Sequence, residues 1–455
     1  MQEKSRTYKN SPKRVYLRTF GCQMNEYDSE LIKSILTNAG YIFIDNEQEA
    51  DIILLNTCAV RESAVRKIYG QVNSIRYALK DKSVIIGILG CLPVNLGNEL
   101  FKIKHFNIDF ICGSDSYRRL PELIANSSTN SLKKEKPQDI NLSDSELYSG
   151  IEPLRESGVD AKIVIMRGCN NFCSFCVVPY TRGRERSRSP YEIIKEITNA
   201  TKQGYKQVTL LGQNVNSYYY EGIDFSRLME LIAKIDGVER IRFTSPHPKD
   251  LSERLLEVMA SNHKICKHLH LPLQSGNDRI LSLMNRSYTR KQYIDLVHKA
   301  RYYCPDIALT TDIIVGFPTE TDEEFYDTYT LICEVEFDAA FIFKYSQRKG
   351  TDAARLYPDD VSDEKKTERI VKLNSKQKEI SLQKNINYIG KTVEVLIEQE
   401  YTSRSENDMQ GRTDTNKIVI FPAGNWKQGD FVKVKITDAS PHTLKGKIDN
   451  RNYEK

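Results

Sequence analysis

No apolar run in this chain exceeds the length of a strand; VIIGIL at 84–89 is typical of the longest. A membrane-crossing helix needs about 20 apolar residues, so none is expected. A secretory leader is not expected either. The first residues, MQEKSRTYKNSPKR, are polar and basic and have no apolar centre. Excess charge is also scarce: 66 Lys and Arg against 61 Asp and Glu leave a net +5. Whole-chain electrostatics therefore neither demand nor exclude a nucleic-acid partner. Ten cysteines in such a chain read as reduced thiols of a cytoplasmic protein, some of them metal ligands, and not as a disulfide framework. At 455 residues the chain is too long for one core, and two or three domains are expected.

A further shortage is more telling. In IVIMRGCNNFCSFCVVPYTRGRERSR (163–188) the cysteines Cys169, Cys173 and Cys176 follow a C-x3-C-x2-C pattern, with no fourth Cys and no His nearby. The apolar run 163–166 predicts a buried strand that ends towards Gly168. Three thiolates this close face a common centre only if the loop wraps round it. A structural zinc would need a fourth ligand, and a disulfide would leave an odd thiol. An iron–sulfur cubane normally takes four thiolates. Three would leave one iron open, as a catalytic metal site does.

Three more cysteines each follow an apolar run. The run 15–20 ends in Gly21-Cys22, 52–55 in Asn56-Thr57-Cys58, and 84–89 in Gly90-Cys91. Between them, Leu31, Ile32, Ile35 and Leu36, and then Val65, Ile68, Tyr69, Val72 and Ile75, recur at helical spacing. Alternating strands and helices predict a parallel sheet covered by helices. Ligands of such sheets bind at the carboxyl ends of the strands, where these cysteines would converge. Buried core thiols are the competing reading. Cys112, after Phe110-Ile111, is a fourth candidate that spacing alone does not rank.

Residues 126–150 are rich in Ser, Asn, Lys and Asp and predict a flexible linker. Six strand-like runs follow, at 163–166, 208–211, 241–243, 268–273, 307–315 and 339–345. Helical patterns lie between them at 191–202, 225–235, 251–259, 291–302 and 323–335. Repeated β-α units predict a barrel or open sheet with its site at the strands' C-terminal ends. The polar residues there are Gln213, Asn214 and Asn216, then Thr244, Ser245 and His247, then Gln274 and Ser275, with Asp312 and Lys344-Tyr345 beyond. Singly they suit turns; together they suit a pocket for a polar cofactor and a substrate. Arg182, Arg184, Arg186 and Arg188 alternate just past the cysteine loop. A solvated face is the ordinary reading, and phosphate contact at the rim of the site is the functional one.

After a charged amphipathic helix at 364–382, short alternating strands appear at 392–397, 417–421, 431–436 and 444–448, with interleaved Lys391, Arg412, Lys427, Lys433, Lys435, Lys445 and Lys447. This predicts a small antiparallel barrel. Such barrels often bind oligonucleotides on a basic face.

The Cys169, Cys173, Phe175, Cys176 arrangement resembles the radical S-adenosylmethionine (SAM) superfamily. The resemblance implies a 4Fe–4S cluster whose open iron takes SAM's amino and carboxylate groups, and reductive cleavage of SAM to a 5′-deoxyadenosyl radical. The strings TFGCQMN and NTCAVRE and the Gly90-Cys91 pair resemble the N-terminal domain of the radical SAM methylthiotransferases. That implies an auxiliary 4Fe–4S cluster on Cys22, Cys58 and Cys91, with Cys112 matching no ligand. The C-terminal strands resemble the TRAM domain, an RNA-binding module.

The implied fold is α/β: a parallel, Rossmann- or flavodoxin-like N-terminal domain at 13–130, a linker at 131–153, a partial (β/α)6 barrel at 154–386 and the small barrel at 388–451. The strings GCNNFCSFCVVPYTRGRERSR, LLGQNVNSY, TSPHP, HLPLQSG and TDIIVGFPTET are most similar to the branch that methylthiolates N6-isopentenyl-adenosine at position 37 of tRNA. Branches acting on threonylcarbamoyl-adenosine or on a ribosomal protein share the architecture and are the alternatives, as is a non-catalytic Fe–S RNA-binding protein. The resemblance implies SAM contacts among Phe175, Gln213, Asn214, Ser245, His247, Gln274 and Ser275. Implied partners are a tRNA anticodon stem-loop carrying isopentenyl-adenosine, an electron donor such as flavodoxin or ferredoxin, and a sulfur or cluster donor, with the chain a monomer.

Overall fold

The computed structural model describes residues 12–59, 62–104, 106–129, 135–156, 158–402 and 405–449, without the side chains of 62–66, 128 and 129. Several expectations fall outside the described residues: the leader reading of 1–11, Val60 and Arg61 of NTCAVRE, the Val65 side chain, the linker at 131–134, and the barrel's end at 450–451. The chain forms two compact units. One comprises Met1–Arg155 with Val177–Arg184, the other Glu156–Cys176 with Glu185–Lys455.

Among its described residues, the first unit contains one parallel sheet. Its strands are β1 (Arg14–Thr19), β2 (Ile42–Phe43), β3 (Ile52–Thr57), β4 (Ile85–Gly90), β5 (Phe110–Cys112) and β6 (Gln138–Asp139). The strand order is β2-β1-β3-β4-β5-β6, with every pairing parallel. Every residue of the central β3 is buried, as a strand covered on both faces must be. Ile68, Val72 and Ile75 of helix Glu62–Ala78 are sealed against this sheet. Because β1 lies between β2 and β3, the order reverses at β1/β3, the switch point where doubly wound sheets open their ligand crevice.

The expected linker is largely part of this unit. β6 pairs with β5, and Arg119 holds Asp139 at 2.8 Å. Tyr148 is buried; its hydroxyl donates to Ser114 O at 2.8 Å and accepts from Tyr117 N at 3.0 Å. Its ring stacks on Tyr117 at 5.6 Å. The polar composition of 126–150 concealed one aromatic anchor and one edge strand.

The second unit continues with β7 (Asp160–Val164), a short antiparallel ribbon of β8 (Met166–Arg167) and β9 (Arg186–Ser187), then β10 (Gln207–Leu211). A small hairpin of β11 (Tyr219–Tyr220) and β12 (Ile223–Asp224) precedes β13 (Arg240–Phe243), β14 (His268–His270), β15 (Ala308–Val315) and β16 (Ala339–Lys344). Two parallel three-stranded sheets, β13-β10-β7 and β14-β15-β16, are bridged by Ile241 and Ile265. Helices run between successive strands, as the sequence predicts, and a single apolar core joins strands to helices.

Helix Asp363–Ile386 leads into a closed barrel of β17 (Thr392–Gln399), β18 (Asp408–Arg412), β19 (Ile418–Pro422), β20 (Phe431–Ala439) and β21 (Thr443–Ile448). The expected all-antiparallel pairing holds except between β19 and β21, which run parallel to close it. β18, with the polar sequence DMQGR, carries no strand signal of its own.

Candidate functional site

Cys22 follows β1, Cys58 follows β3 and Cys91 follows β4, so all three stand at the carboxyl edge of the first unit's sheet, two of them at its switch point. The turns that deliver them are tight. Gly21 has φ +132°, and a Cβ there would lie 2.5 Å from Cys58 Cβ; Gly90 has φ +94°, and a Cβ there would lie 2.5 Å from Thr57 O. Only glycine allows both the dihedral and the approach.

A buried polar network fixes the loops. Asn25 Nδ2 donates to Asn56 Oδ1 (3.1 Å) and Thr57 O (3.0 Å), Asn56 Nδ2 donates to Ser29 Oγ (2.9 Å), and Thr57 Oγ1 donates to Leu89 O (2.7 Å). Cys22 caps helix Gln23–Asn38. Its hydrogen bond with Cys58, and then Arg182 and the amides of Asn25 and Met24, bring its thiol down to about 6 against the opposing effect of burial. Arg182 Nε donates to Cys91 Sγ at 3.1 Å and Nη2 to the fully buried Asp28 at 2.9 Å. Burial pushes the Cys91 thiol up, while Arg182 opposes that. Cys112 ends β5, one strand further from the switch point, and burial raises its thiol well above the ordinary range.

In the second unit, Cys169, Cys173 and Cys176 sit on a loop bolted down from a distant turn. Phe172 adopts φ 46°, and Asn285 Nδ2 donates to its carbonyl at 2.8 Å. Ser174 Oγ donates to Leu283 O at 2.7 Å, and Ser174 N donates to Met284 O at 3.0 Å. Arg286 is buried; it donates to Cys173 Sγ at 3.3 Å, to the Tyr288 hydroxyl at 2.9 Å and to Pro272 O at 2.9 Å. Burial raises the Cys169 thiol to about 11. Sequence reasoning did not single out Arg286, Asn285 or the Asn25–Asn56 network.

The polar residues at the strand ends divide. Gln213 Oε1, Asn214 Oδ1 and His247 Nε2 are buried with no partner in the protein. Two of the groups are otherwise fixed: Asn214 Nδ2 donates to Asp250 at 2.8 Å, and His247 Nδ1 accepts from Lys249 N at 3.2 Å. Burial, then Arg286 and Lys249, depress His247 to about 2, so its imidazole is neutral. Ser245 and Gln274 take left-handed dihedrals, φ 60° and 70°. Ser275 departs from the expected pocket role: fully buried, its oxygen meets Thr328 Oγ1 at 3.5 Å and accepts from Asn277 N at 3.3 Å. Phe175 packs on the apolar cluster of Ile280, Met284, Phe317 and Tyr345.

The expected basic rim is largely interior. Arg182, Arg186 and Arg188 are all buried. Asp28 draws in Arg182; Glu196 draws in Arg188 at 2.7 Å, and Val164 O accepts from Arg188 at 2.7 Å. Arg184 alone is exposed.

Among the described residues, no three His, Cys, Asp or Glu side chains crowd one point as the ligands of a single ion do. A cubane asks for something different, since each thiolate binds its own iron at a separate corner. Two sets of three thiols, each with one buried guanidinium donating to a sulfur, fit that donor chemistry. The three unpartnered atoms of Gln213, Asn214 and His247 fit a polar ligand, because a buried polar group without a partner costs about 1–3 kcal/mol.

Residues 163–332 match the Radical SAM superfamily, 14–113 the uncharacterized protein family UPF0004, and 387–448 the TRAM domain. The tRNA-2-methylthio-N(6)-dimethylallyladenosine synthase of Azobacteroides pseudotrichonymphae genomovar. CFP2 is 45% identical over 98% of this chain and 99% of its own length. That of Caldicellulosiruptor saccharolyticus is 46% identical over 97% of this chain and 94% of its own. The chain belongs to this synthase family. Membership brings SAM and two 4Fe–4S clusters as cofactors.

Solved structures agree on the fold alone. The radical SAM methyltransferase TsrM of Kitasatospora setae superposes with TM-score 0.58 at 15% identity, covering 75% of this chain and 77% of its own. The radical SAM enzyme OxsB superposes with TM-score 0.51 at 15% identity, covering 81% of this chain and 56% of its own. No helix among the described residues is long and apolar enough to cross a membrane.

Proposed function

We propose that this chain converts N6-isopentenyl-adenosine, the dimethylallyl-adenosine of its relatives' name, into the 2-methylthio derivative in tRNA. The observation that carries this reading is the near end-to-end match to synthases of that name. The finer parts of the proposal are adenosine 37 of an anticodon stem-loop as the target, an external low-potential reductant such as flavodoxin or ferredoxin, an external sulfur or cluster donor, and a monomeric, cytoplasmic enzyme.

Cys169, Cys173 and Cys176 would hold the SAM-binding cluster, and Cys22, Cys58 and Cys91 the auxiliary one. When bound, the first supplies the electron that cleaves SAM and the second supplies an open iron to carry sulfur. The protein's own part is to hold and to orient. Gln213 and Asn214 offer acceptors and His247 an N–H donor at the mouth of the half-barrel. They suit the amino, ribose and adenine groups of SAM. Arg286 and Arg182 hold one sulfur of each set in place.

On the small barrel, Lys433, Lys435, Lys445 and Lys447 all face solvent, and Lys435 stands directly opposite Lys447. Like charges opposite one another destabilise a strand pair, and a phosphate backbone relieves them. Arg184 is offered as a further phosphate contact.

The test is anaerobic incubation of reconstituted protein with SAM, dithionite and a stem-loop carrying isopentenyl-adenosine, followed by mass spectrometry of the nucleosides. A 2-methylthio product on this RNA, with none on the unprenylated loop, is expected. Sulfur insertion into a ribosomal peptide instead would overturn the assignment. In Cys173→Ala, 5′-deoxyadenosine should disappear. In Cys58→Ala it should persist while the methylthio product is lost.

A further inference from the structure

β16 is an edge strand of the half-barrel, and its side chains alternate. Ala340 and Ile342 pack into the core with Leu373 and Ile380 of helix Asp363–Ile386. Strand alternation sends Phe341 and Phe343 to the opposite, inner face, where they are 55% and 41% exposed. Two exposed phenyl rings on the inner wall of a half-barrel are costly unless something covers them.

The same wall carries a polar pair. His270 Nε2 lies 3.4 Å from Asp312 Oδ2, with Asp312 a third exposed, and the Phe341 ring stands 6.1 Å from the His270 ring. Asp312 pairs in register with Phe341, and Ile314 with Phe343. Ile314 and Phe175 of the cysteine loop border one apolar cluster with Phe317 and Tyr345. The wall is therefore continuous with the cysteine loop inside one unit.

We infer that Phe341 and Phe343, with the His270–Asp312 pair, form the platform that receives the target nucleobase: a purine bearing an apolar N6 substituent, swung out of a single-stranded RNA loop. Aromatic rings stack on any base and suit the prenyl group. The carboxylate and imidazole supply an acceptor and a donor for a base edge. None of these residues belongs to the thiol sets. The inference rests on the proposed substrate.

The test is a competition binding measurement on anaerobically reconstituted holoenzyme, with two anticodon stem-loops that differ only in the N6-isopentenyl group. Wild type should prefer the prenylated loop. Phe341→Ala and Asp312→Asn should each weaken binding of the prenylated loop about tenfold, the scale of one lost base–aromatic stack. Tyr302→Ala, an exposed aromatic on the outer helix Arg290–Tyr303, should leave it intact. If Phe341→Ala fails to fold by circular dichroism, Phe341→Leu and the near-isosteric Asp312→Asn carry the test. Wild-type affinity for the prenylated loop in the folded variants would overturn the platform while leaving the proposed function standing. No preference in wild type would instead remove the proposed substrate, and the platform with it.

Discussion

Arg286 donates to Cys173 and Arg182 to Cys91, each from a buried position. Hydrogen bonds to cluster sulfurs raise reduction potentials, because they favour the more negative, reduced state. Arg286→Met should therefore lower the potential of the cluster proposed on Cys169, Cys173 and Cys176 on the order of 60 mV, a tenfold change for one electron. A redox titration followed by electron paramagnetic resonance measures it, and an unchanged potential would deny Arg286 this role.

His247 gives a second prediction at this scale. Burial holds its folded-state value near 2, well below the ordinary 6.5. The unfolded chain then binds a proton that the folded chain does not as pH drops below 6.5. Its contribution is intact above that pH and is lost progressively as pH falls, by up to about 1.4 kcal/mol per unit. His268, held by desolvation at about 3, contributes in the same sense to wild type and to His247→Gln, so denaturant unfolding at pH 7, 6 and 5 should show a shallower loss of stability in the variant than in wild type.

Neither arginine's role was legible in the sequence. Asp28 lies 154 positions from Arg182, and Cys173 lies 113 from Arg286. Local spacing records alternation, not which distant carboxylate or thiol will bury the charge.

The strands were more legible. The runs before Cys22, Cys58 and Cys91 announced β1, β3 and β4, because a buried parallel strand is nearly solid in apolar residues. The two-residue β2 and β6 lie at the two edges of their sheet and the polar β18 lies between β17 and β19 in the closed barrel, and only pairing makes them strands. The lysines of β20 and β21 were legible as basic, but their convergence on one face needed the register. Lys435→Gln with Lys447→Gln should make the salt dependence of tRNA binding shallower by about 0.7–0.9 per lost phosphate contact. An unchanged slope of log affinity against log salt would place the RNA elsewhere.

In the second unit the small barrel is bound to the half-barrel by buried polar contacts. Arg240 donates to Arg412 O at 2.6 Å, Arg242 donates to Thr413 O at 2.6 Å, and Lys417 meets Asp338 at 2.7 Å with both side chains 9% exposed. Removing one member of a buried pair strands the other. Asp338→Asn should accordingly cost about 3–5 kcal/mol in chemical denaturation, and a loss below about 1 kcal/mol would mean the contact is solvated.

The whole account stands on two three-thiolate cages in one chain, and counting iron and acid-labile sulfide after anaerobic reconstitution addresses that most directly. Wild type should carry about eight irons, two cubanes. Replacing Cys22, Cys58 and Cys91 together with Ala should leave about four and preserve 5′-deoxyadenosine formation. Replacing Cys169, Cys173 and Cys176 should also leave about four but abolish it. About four irons in fully reconstituted wild type, or SAM cleavage surviving the second triple variant, would contradict the account.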